Sequence, residues 1–145
     1  MNSNDWTQGG DHLHYQQCGT CANRWYFKRD FCPTCGQTSP NTHLASGLGK
    51  VCASTLVHRA PSDEFRAIVP YRIVLVDLAD GIRVMGHAEV DVLMDDQVRC
   101  EVRTIAGRSL PYFEHWQRPY KQYLEQKQEK LLLVLVILLQ FDMNC

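Results

Sequence analysis

Apolar and polar residues alternate along most of the chain between residues 51 and 113, and this two-residue period is typical of β-strands. In the first run, Val51, Ala53, Thr55 and Val57 fall on one predicted face. A loop containing Pro61 follows, and later an Asp-Gly pair at positions 80 and 81 separates two apolar runs, which is a strong hairpin signal. The pattern predicts five strands, at residues 51–59, 71–78, 82–90, 98–105 and 109–113.

Five short strands joined by glycine-rich turns favour a small barrel, and we predict that all of them run antiparallel in a five-stranded OB fold. Upstream, residues 12–17 alternate and predict a short strand that leads to Cys18. Residues 1–11 are polar and contain Gly9 and Gly10, with Trp6 as their single large apolar anchor. We therefore predict a flexible N-terminus, then a small unit, then a barrel.

Four cysteines form two matched pairs at the start of the chain. Cys18 and Cys21 are separated by two residues, a ten-residue insert follows, and Cys32 and Cys35 repeat the spacing. Two Cys-x-x-Cys turns that face each other close a tetrahedral sulfur site, which suits Zn²⁺, with iron in a rubredoxin-like site as the alternative. A redox pair or a disulfide pair is disfavoured, because two pairs occur without a thioredoxin-like context. Since four protein ligands leave no open position, we predict that the metal is structural.

Other side chains near the cysteines are not predicted to bind the metal. His12 and His14 lie close by in sequence, but four thiolates already complete a zinc shell, so we expect both to be surface residues. Residues 25–27 are Trp-Tyr-Phe, which either cover the metal turns or leave part of their surface for a partner.

The composition limits the function classes. The chain has 145 residues, 45% of them hydrophobic, and a net charge of −1. Residues 40–116 contain eight Lys or Arg against ten Asp or Glu, which argues against a nucleic-acid channel. Three cysteines remain beyond the matched pairs and Met1–Asp5 shows no signal-peptide pattern, so we expect a cytoplasmic protein.

Residues for catalysis are not evident. Nucleophilic chemistry needs an activated thiol or hydroxyl beside a base, and each candidate here stands alone in a strand or at a turn. We therefore predict no catalytic residue among Cys52, Cys100, His58, His87 and Asp95–Asp96.

The C-terminal extension contains an unbroken apolar run, Leu131–Leu139. Nine residues are too few to cross a bilayer, which takes about 20 as a helix, so no membrane association is predicted. An exposed apolar run on a small protein is an aggregation hazard. We therefore predict that it is buried against a partner subunit or a second copy. The alternatives are a segment that folds back on its own barrel and a disordered end.

Taken in order, the motifs resemble one known family. They are Cys-x-x-Cys, Cys-Pro-x-Cys-Gly, residues 46–51 (Ser-Gly-Leu-Gly-Lys-Val), residues 57–61 (Val-His-Arg-Ala-Pro), the Asp80-Gly81 turn and residues 110–113 (Leu-Pro-Tyr-Phe). Over residues 12–116 the chain is similar to the bacterial and archaeal acyl-CoA-associated zinc-ribbon/OB-fold family. Phe27-Lys28 stands where members often have Pro-Pro, a departure that changes the expected partner surface.

The resemblance implies a mostly β fold with a rubredoxin-like zinc ribbon. The expected divisions are a flexible N-terminus (1–11), the ribbon (12–39), the OB fold (40–116) and a C-terminal extension (117–145). It implies a non-catalytic scaffolding subunit in a hetero-oligomer with thiolase-like and ketosynthase-like subunits. Such a complex would perform C-acylation in secondary metabolism, such as acetylation of a phloroglucinol in antibiotic biosynthesis, with the catalytic cysteine on the thiolase-like partner. The alternatives are an OB-fold module that binds single-stranded nucleic acid or coenzyme A, and electron transfer by an iron-loaded site.

Overall fold

The protein consists of a small three-stranded sheet and a closed five-stranded barrel. The computed structural model describes residues 5–116 and 131–132. The sheet has strand order β2-β1-β3, and both pairings are antiparallel. Its strands are β1 (His14–Gln17), β2 (Arg24–Trp25) and β3 (Asn41–Leu44).

The barrel closes in the order β4-β5-β6-β8-β7, with β7 returning to β4. Its strands are β4 (Leu48–Val57), β5 (Tyr71–Leu78), β6 (Arg83–Ala88), β7 (Gln97–Ile105) and β8 (Arg108–His115). The predicted fold class, a ribbon-like unit with four cysteines followed by a five-stranded barrel, is confirmed.

The prediction that all strands run antiparallel is wrong at one seam. Strands β6 and β8 pair in parallel, with His87 opposite Tyr112 and Ala88 opposite Phe113. The reason is geometric, because strand direction cannot alternate all the way around a closed ring with an odd number of strands. One parallel pair is therefore required, and it falls at this short contact.

Strand β4 also departs from the predicted alternation. Its register with β5 shifts between Val51 and Ala53, which places a β-bulge at Cys52. As a result Val51 is fully buried while Thr55, predicted to share its face, is exposed. The bulge bends this long strand so that its first residues pair with β7 as well as with β5.

Glycine is required at the point where β4 meets both neighbours. Gly49 is paired with Leu78 of β5 and Val98 of β7. A Cβ atom there would lie 2.5 Å from the carbonyl oxygen of Asp77 and 2.7 Å from Cγ1 of Val76. Only the absence of a side chain lets the strands approach this closely.

One hydrophobic core serves both units. The barrel interior is filled by small branched side chains around Phe113, and Leu13 and Tyr15 of the first unit belong to the same buried cluster. Trp6, in a short 3₁₀ helix (Trp6–Gln8), packs against this cluster. The fully buried barrel residues are Val51, Val74, Val76, Val84, Val92, Val98 and Phe113.

Four short elements carry too little pattern to be predicted from the sequence. These are the 3₁₀ helix, strands β2 and β3, and a single helical turn, α1 (Asp63–Arg66). All four residues of β3 are exposed, so the strand shows no apolar alternation. The predicted flexibility of the N-terminus stays a prediction.

Most of the apolar C-terminal run lies outside the described residues. Of this run, Leu131 and Leu132 are described, and both are helical and exposed. Within the described part of the chain, no helix is long and apolar enough to cross a membrane.

Candidate metal centre and apolar groove

The four cysteines of the matched pairs converge on one point. The sulfur atoms of Cys18, Cys21, Cys32 and Cys35 all lie within 4.8 Å of one another. The Sγ atoms of Cys18 and Cys35 are 3.6 Å apart, as are those of Cys21 and Cys32. In a tetrahedral site with Zn–S bonds of about 2.3 Å, neighbouring sulfurs lie about 3.8 Å apart. The four side chains therefore fit a Zn²⁺ ion or a similar tetrahedral metal.

Backbone N–H groups prepare each pair for this role. The N–H of Thr20 donates to Sγ of Cys18, and the N–H of Thr34 donates to Sγ of Cys32, both at 3.4 Å. The second turn ends at Gly36, whose φ of +76° lies in the left-handed region that favours glycine. Both turns thus aim N–H dipoles at sulfur atoms that must carry negative charge to bind metal.

Hydrogen bonds, burial and the neighbouring sulfur atoms shift the pKa values of the cysteine thiols. The backbone N–H groups of Cys21 and Thr20 lower the pKa of the Cys18 thiol to about 6. Although the N–H of Asn23 acts in the opposite direction, burial and the neighbouring sulfurs raise the pKa of Cys21 to about 12. Four thiolates this close repel one another, and a bound divalent cation relieves that repulsion.

The aromatic block after the first pair is used mainly inside the protein. The indole N–H of Trp25 donates to the side-chain oxygen of the buried Gln16 (2.9 Å), and the hydroxyl of Tyr26 accepts from the Trp6 indole (2.6 Å). Phe27 is 61% exposed. Trp25 and Tyr26 are thus engaged inside the protein, and Phe27 is the member of this block that presents a large apolar surface.

Neither histidine near the pairs belongs to the sulfur cluster. Nδ1 of His14 lies 3.5 Å from Oδ2 of Asp5, and His12 contacts its neighbour Asp11. His12 is exposed as expected, whereas His14 is not the surface residue that was predicted, because its side chain is only 20% exposed.

A cavity of 290 Å³ opens between the first unit and the barrel. We call it the groove. Its charged or titratable lining residues are Arg83 and His87. Nε of Arg83 lies 2.6 Å from Oδ1 of Asp77. The rest of the lining is apolar and comes from five separate segments: Trp6, Tyr26–Phe27, Ile73 with Leu75, Met85–Gly86 and Leu110–Pro111. Because these segments meet only through the fold, no local sequence signal predicted the groove.

Hydrogen bonds hold the two walls of the groove in place. Nη1 of Arg24 donates to the carbonyl oxygen of Asp80 at 2.7 Å. The carboxylate of Asp80 accepts from the N–H and the hydroxyl of Ser46, at 2.9 and 2.8 Å. The predicted Asp80-Gly81 hairpin turn thus ties the first unit to the barrel.

The candidate nucleophiles and bases do not form a catalytic pair within residues 5–116. Burial raises the pKa of the Cys100 thiol to about 12, which leaves it a poor nucleophile. The thiol of Cys52 donates to the carbonyl oxygen of Leu75. His87 stacks on Phe65 and contacts the Tyr71 ring, and burial lowers its pKa.

The predicted carboxylate pair is used to build a loop. Asp95 pairs with Lys50 (2.9 Å), and Asp96 accepts the N–H of Leu93 (2.8 Å). Nearby, Glu89, Asp91 and His115 bring ligand atoms within 4.8 Å of one another, but Glu89 already accepts the N–H of His115.

Arginines that would favour a nucleic-acid or coenzyme A site are engaged within the chain. Arg66 pairs with Asp63, and Arg83 pairs with Asp77. Arg72 donates to the carbonyl oxygen of Val90 and to the hydroxyl of Ser54. These contacts weaken the alternative of a phosphate-binding barrel.

Comparison with known proteins identifies relatives of the barrel. Residues 42–103 match the family model described as the ChsH2 C-terminal OB-fold domain. A DUF35 domain-containing scaffold protein of Methanocaldococcus jannaschii is 32% identical over 94 residues, 61% of this chain and 66% of that protein. A protein of the same description from Methanothermobacter thermautotrophicus is 33% identical over 72 residues, 49% of this chain and 53% of that protein. The chain thus matches between about half and two thirds of the length of these relatives.

Solved structures share the architecture. A chain of the Ltp2–ChsH2(DUF35) aldolase superposes with a TM-score of 0.62 and 25% identity, covering 72% of this chain and 84% of that one. A DUF35-family protein of unknown function from Sulfolobus solfataricus superposes with a TM-score of 0.53 and 17% identity, covering 77% and 80%. The second likeness shows the fold alone.

Proposed function

Since residues 42–103 match the family model of ChsH2 C-terminal OB-fold domains, we propose that the chain is a non-catalytic scaffold subunit of a complex with a thiolase-like enzyme. Two relatives are described as scaffold proteins, and one similar chain comes from the Ltp2–ChsH2(DUF35) aldolase. The lack of a nucleophile–base pair in the described residues fits this role, because the partner would supply the catalytic cysteine.

The observation that carries the proposal is a rigid loop with exposed apolar side chains. Between β6 and β7, Val90, Leu93 and Met94 are 61%, 57% and 61% exposed. Val92, between them in sequence, is fully buried and anchors the loop in the barrel core. We call this loop, residues 89–96, the apolar loop. Clustered exposed apolar side chains on a fixed backbone are typical of protein interaction sites.

Hydrogen bonds fix the backbone of the apolar loop. The N–H of Asp95 donates to the carbonyl oxygen of Val51 at 2.9 Å, and that of Val92 donates to Glu89 at 3.1 Å. Carboxylates of Asp91 and Asp95 are exposed beside the apolar side chains. A complementary partner surface has an apolar centre and a basic rim.

The metal proposal is a structural Zn²⁺ held by Cys18, Cys21, Cys32 and Cys35, which would fix the first unit against the barrel. Iron in the same site is the alternative. Metal analysis of the purified protein distinguishes them, since a zinc site is colourless and an iron–sulfur site is red. Because thiolate ligands need reducing conditions, a cytoplasmic location is part of the proposal.

The proposed complex carries out C-acylation in secondary metabolism. The motif resemblance supports C-acylation, such as acetylation of a phloroglucinol, with a ketosynthase-like subunit as a second partner. In such a complex this chain would hold the two enzymes in register, and its own residues would make no bond with the substrate.

The test is co-expression with the thiolase-like and ketosynthase-like candidates, followed by size-exclusion chromatography and an acyl-transfer assay. Co-elution, with activity that depends on this chain, is expected. Met94→Glu should abolish co-elution while the chain stays folded. Met85→Glu is the matched control, because Met85 is equally exposed (61%) but lies in the groove. A chain that elutes alone, with partners fully active without it, would refute the scaffold function.

A further inference from the structure

We propose that the groove binds the apolar tail, residues 131–139, of a second copy of this chain. The two copies would exchange tails and form a closed dimer. This inference does not depend on the thiolase-like partner, because the apolar loop assigned to that partner is a different surface.

The groove is prepared for an apolar occupant. Its lining side chains are apolar except for Arg83 and His87, and the Arg83 guanidinium is neutralised by Asp77. Phe27 and Met85, both 61% exposed, belong to different walls and give the occupant its largest apolar contacts. The methionine side chain is flexible and adapts to the shape of what it covers. At about 30 Å³ per molecule, the groove otherwise holds roughly ten waters against apolar walls.

The tail matches the groove in its chemistry. Leu131–Leu139 contains nine apolar residues and no charge. If it were helical, the nine-residue run would extend about 13 Å and carry apolar side chains on every face. A neutral groove and a neutral tail complement each other, whereas the carboxylates beside the apolar loop favour a basic partner.

The exposure of Leu131 and Leu132 favours a second copy as the source of the occupant. They are 57% and 61% exposed, so the chain's own barrel does not cover the start of its tail. The chain leaves the barrel after β8, the strand whose Leu110 and Pro111 line the groove. Residues 117–130 then provide 14 residues, which reach at most about 50 Å when extended.

Reciprocal exchange also explains why such an assembly would stop at two. Each copy gives one tail and receives one, so a two-fold arrangement satisfies both grooves and leaves neither tail exposed. Burial of apolar surface on both molecules supplies the driving force.

The test uses full-length chains at micromolar concentration in sedimentation equilibrium. The wild type is expected to be a dimer. Met85→Glu, which charges the groove, and Leu135→Glu, which charges the tail, should each raise the dissociation constant at least tenfold. Met94→Glu is the matched control and should leave the dimer intact. A monomeric wild type, or loss of the dimer in Met94→Glu alone, would overturn the proposal.

Mixing the two variants separates exchange between copies from folding back within one chain. The tail of Met85→Glu is intact and so is the groove of Leu135→Glu, so an equimolar mixture should regain heterodimer with one working contact. If mixing restores nothing, the tail does not cross to a second copy and the inference fails. Partner co-elution, measured separately, should survive in Met85→Glu, which keeps this result distinct from that of the scaffold test.

Discussion

Replacing Gly49 by alanine tests how tightly the barrel is closed. The added methyl would lie 2.5 Å from the carbonyl oxygen of Asp77 and 2.7 Å from Cγ1 of Val76. Neither atom can yield easily, because the first belongs to paired backbone and the second to a fully buried side chain. Overpacking of this kind costs about 1 to 3 kcal/mol. Because one core spans residues 5–116, an unfolding entropy of about 2.1 cal/mol/K per residue gives a fall in Tm of between about 4 and about 13 °C.

The assay is thermal unfolding followed by circular dichroism, with Gly19→Ala as the control. A Cβ at Gly19 would have Asn41 Nδ2 as its nearest neighbour, at 3.7 Å, which is an ordinary contact. That variant should stay within about 0.5 kcal/mol of the wild type. If Gly49→Ala unfolds at the wild-type temperature, β4 and β5 separate without cost and the account of barrel closure is wrong.

Three further predictions concern the metal site, the groove and the hydrogen bond between Trp6 and Tyr26. Cys32→Ser should eliminate bound metal and unfold the first unit, because small metal units generally require their ion; unchanged metal content by elemental analysis would remove Cys32 from the ligand set. Burial lowers the pKa of His87, so the folded state favours neutral imidazole, and the free energy of unfolding should fall as pH drops below about 6.5. Urea titrations at several pH values should show a weaker fall for His87→Gln, and equal slopes would contradict this. Tyr26→Phe removes the acceptor of the Trp6 indole N–H and should lower the free energy of unfolding by about 1 kcal/mol in urea titrations. An unchanged free energy of unfolding would show that this hydrogen bond does not stabilise the protein.

The barrel strands and the sulfur site could be predicted because their signals are local. Two Cys-x-x-Cys pairs specify a metal turn by spacing alone, and the Asp80-Gly81 pair specifies a hairpin between two apolar runs. Strand alternation gave the number of barrel strands because one face of each is buried and the other meets solvent.

The remaining features depend on contacts between distant segments. The bulge at Cys52 and the parallel pair of β6 and β8 follow from closing the ring, which a linear pattern does not encode. Strand β3 is exposed at every position and forms only because β1 offers it an edge. The groove needs five segments to meet, and its lining looks like ordinary core residues in the sequence.

The two units share more than a boundary. Only residues 45–47 separate β3 from β4, and Leu13 and Tyr15 of the first unit are buried with the barrel valines. A ligand that binds only the folded state stabilises everything folded with it, by an amount that grows with the logarithm of its free concentration. Because one core spans both units, a metal at the cysteines stabilises the barrel as well as its own loops. The supply of that metal would then determine how much of the barrel is folded, and with it how much of the chain could take part in the proposed complex.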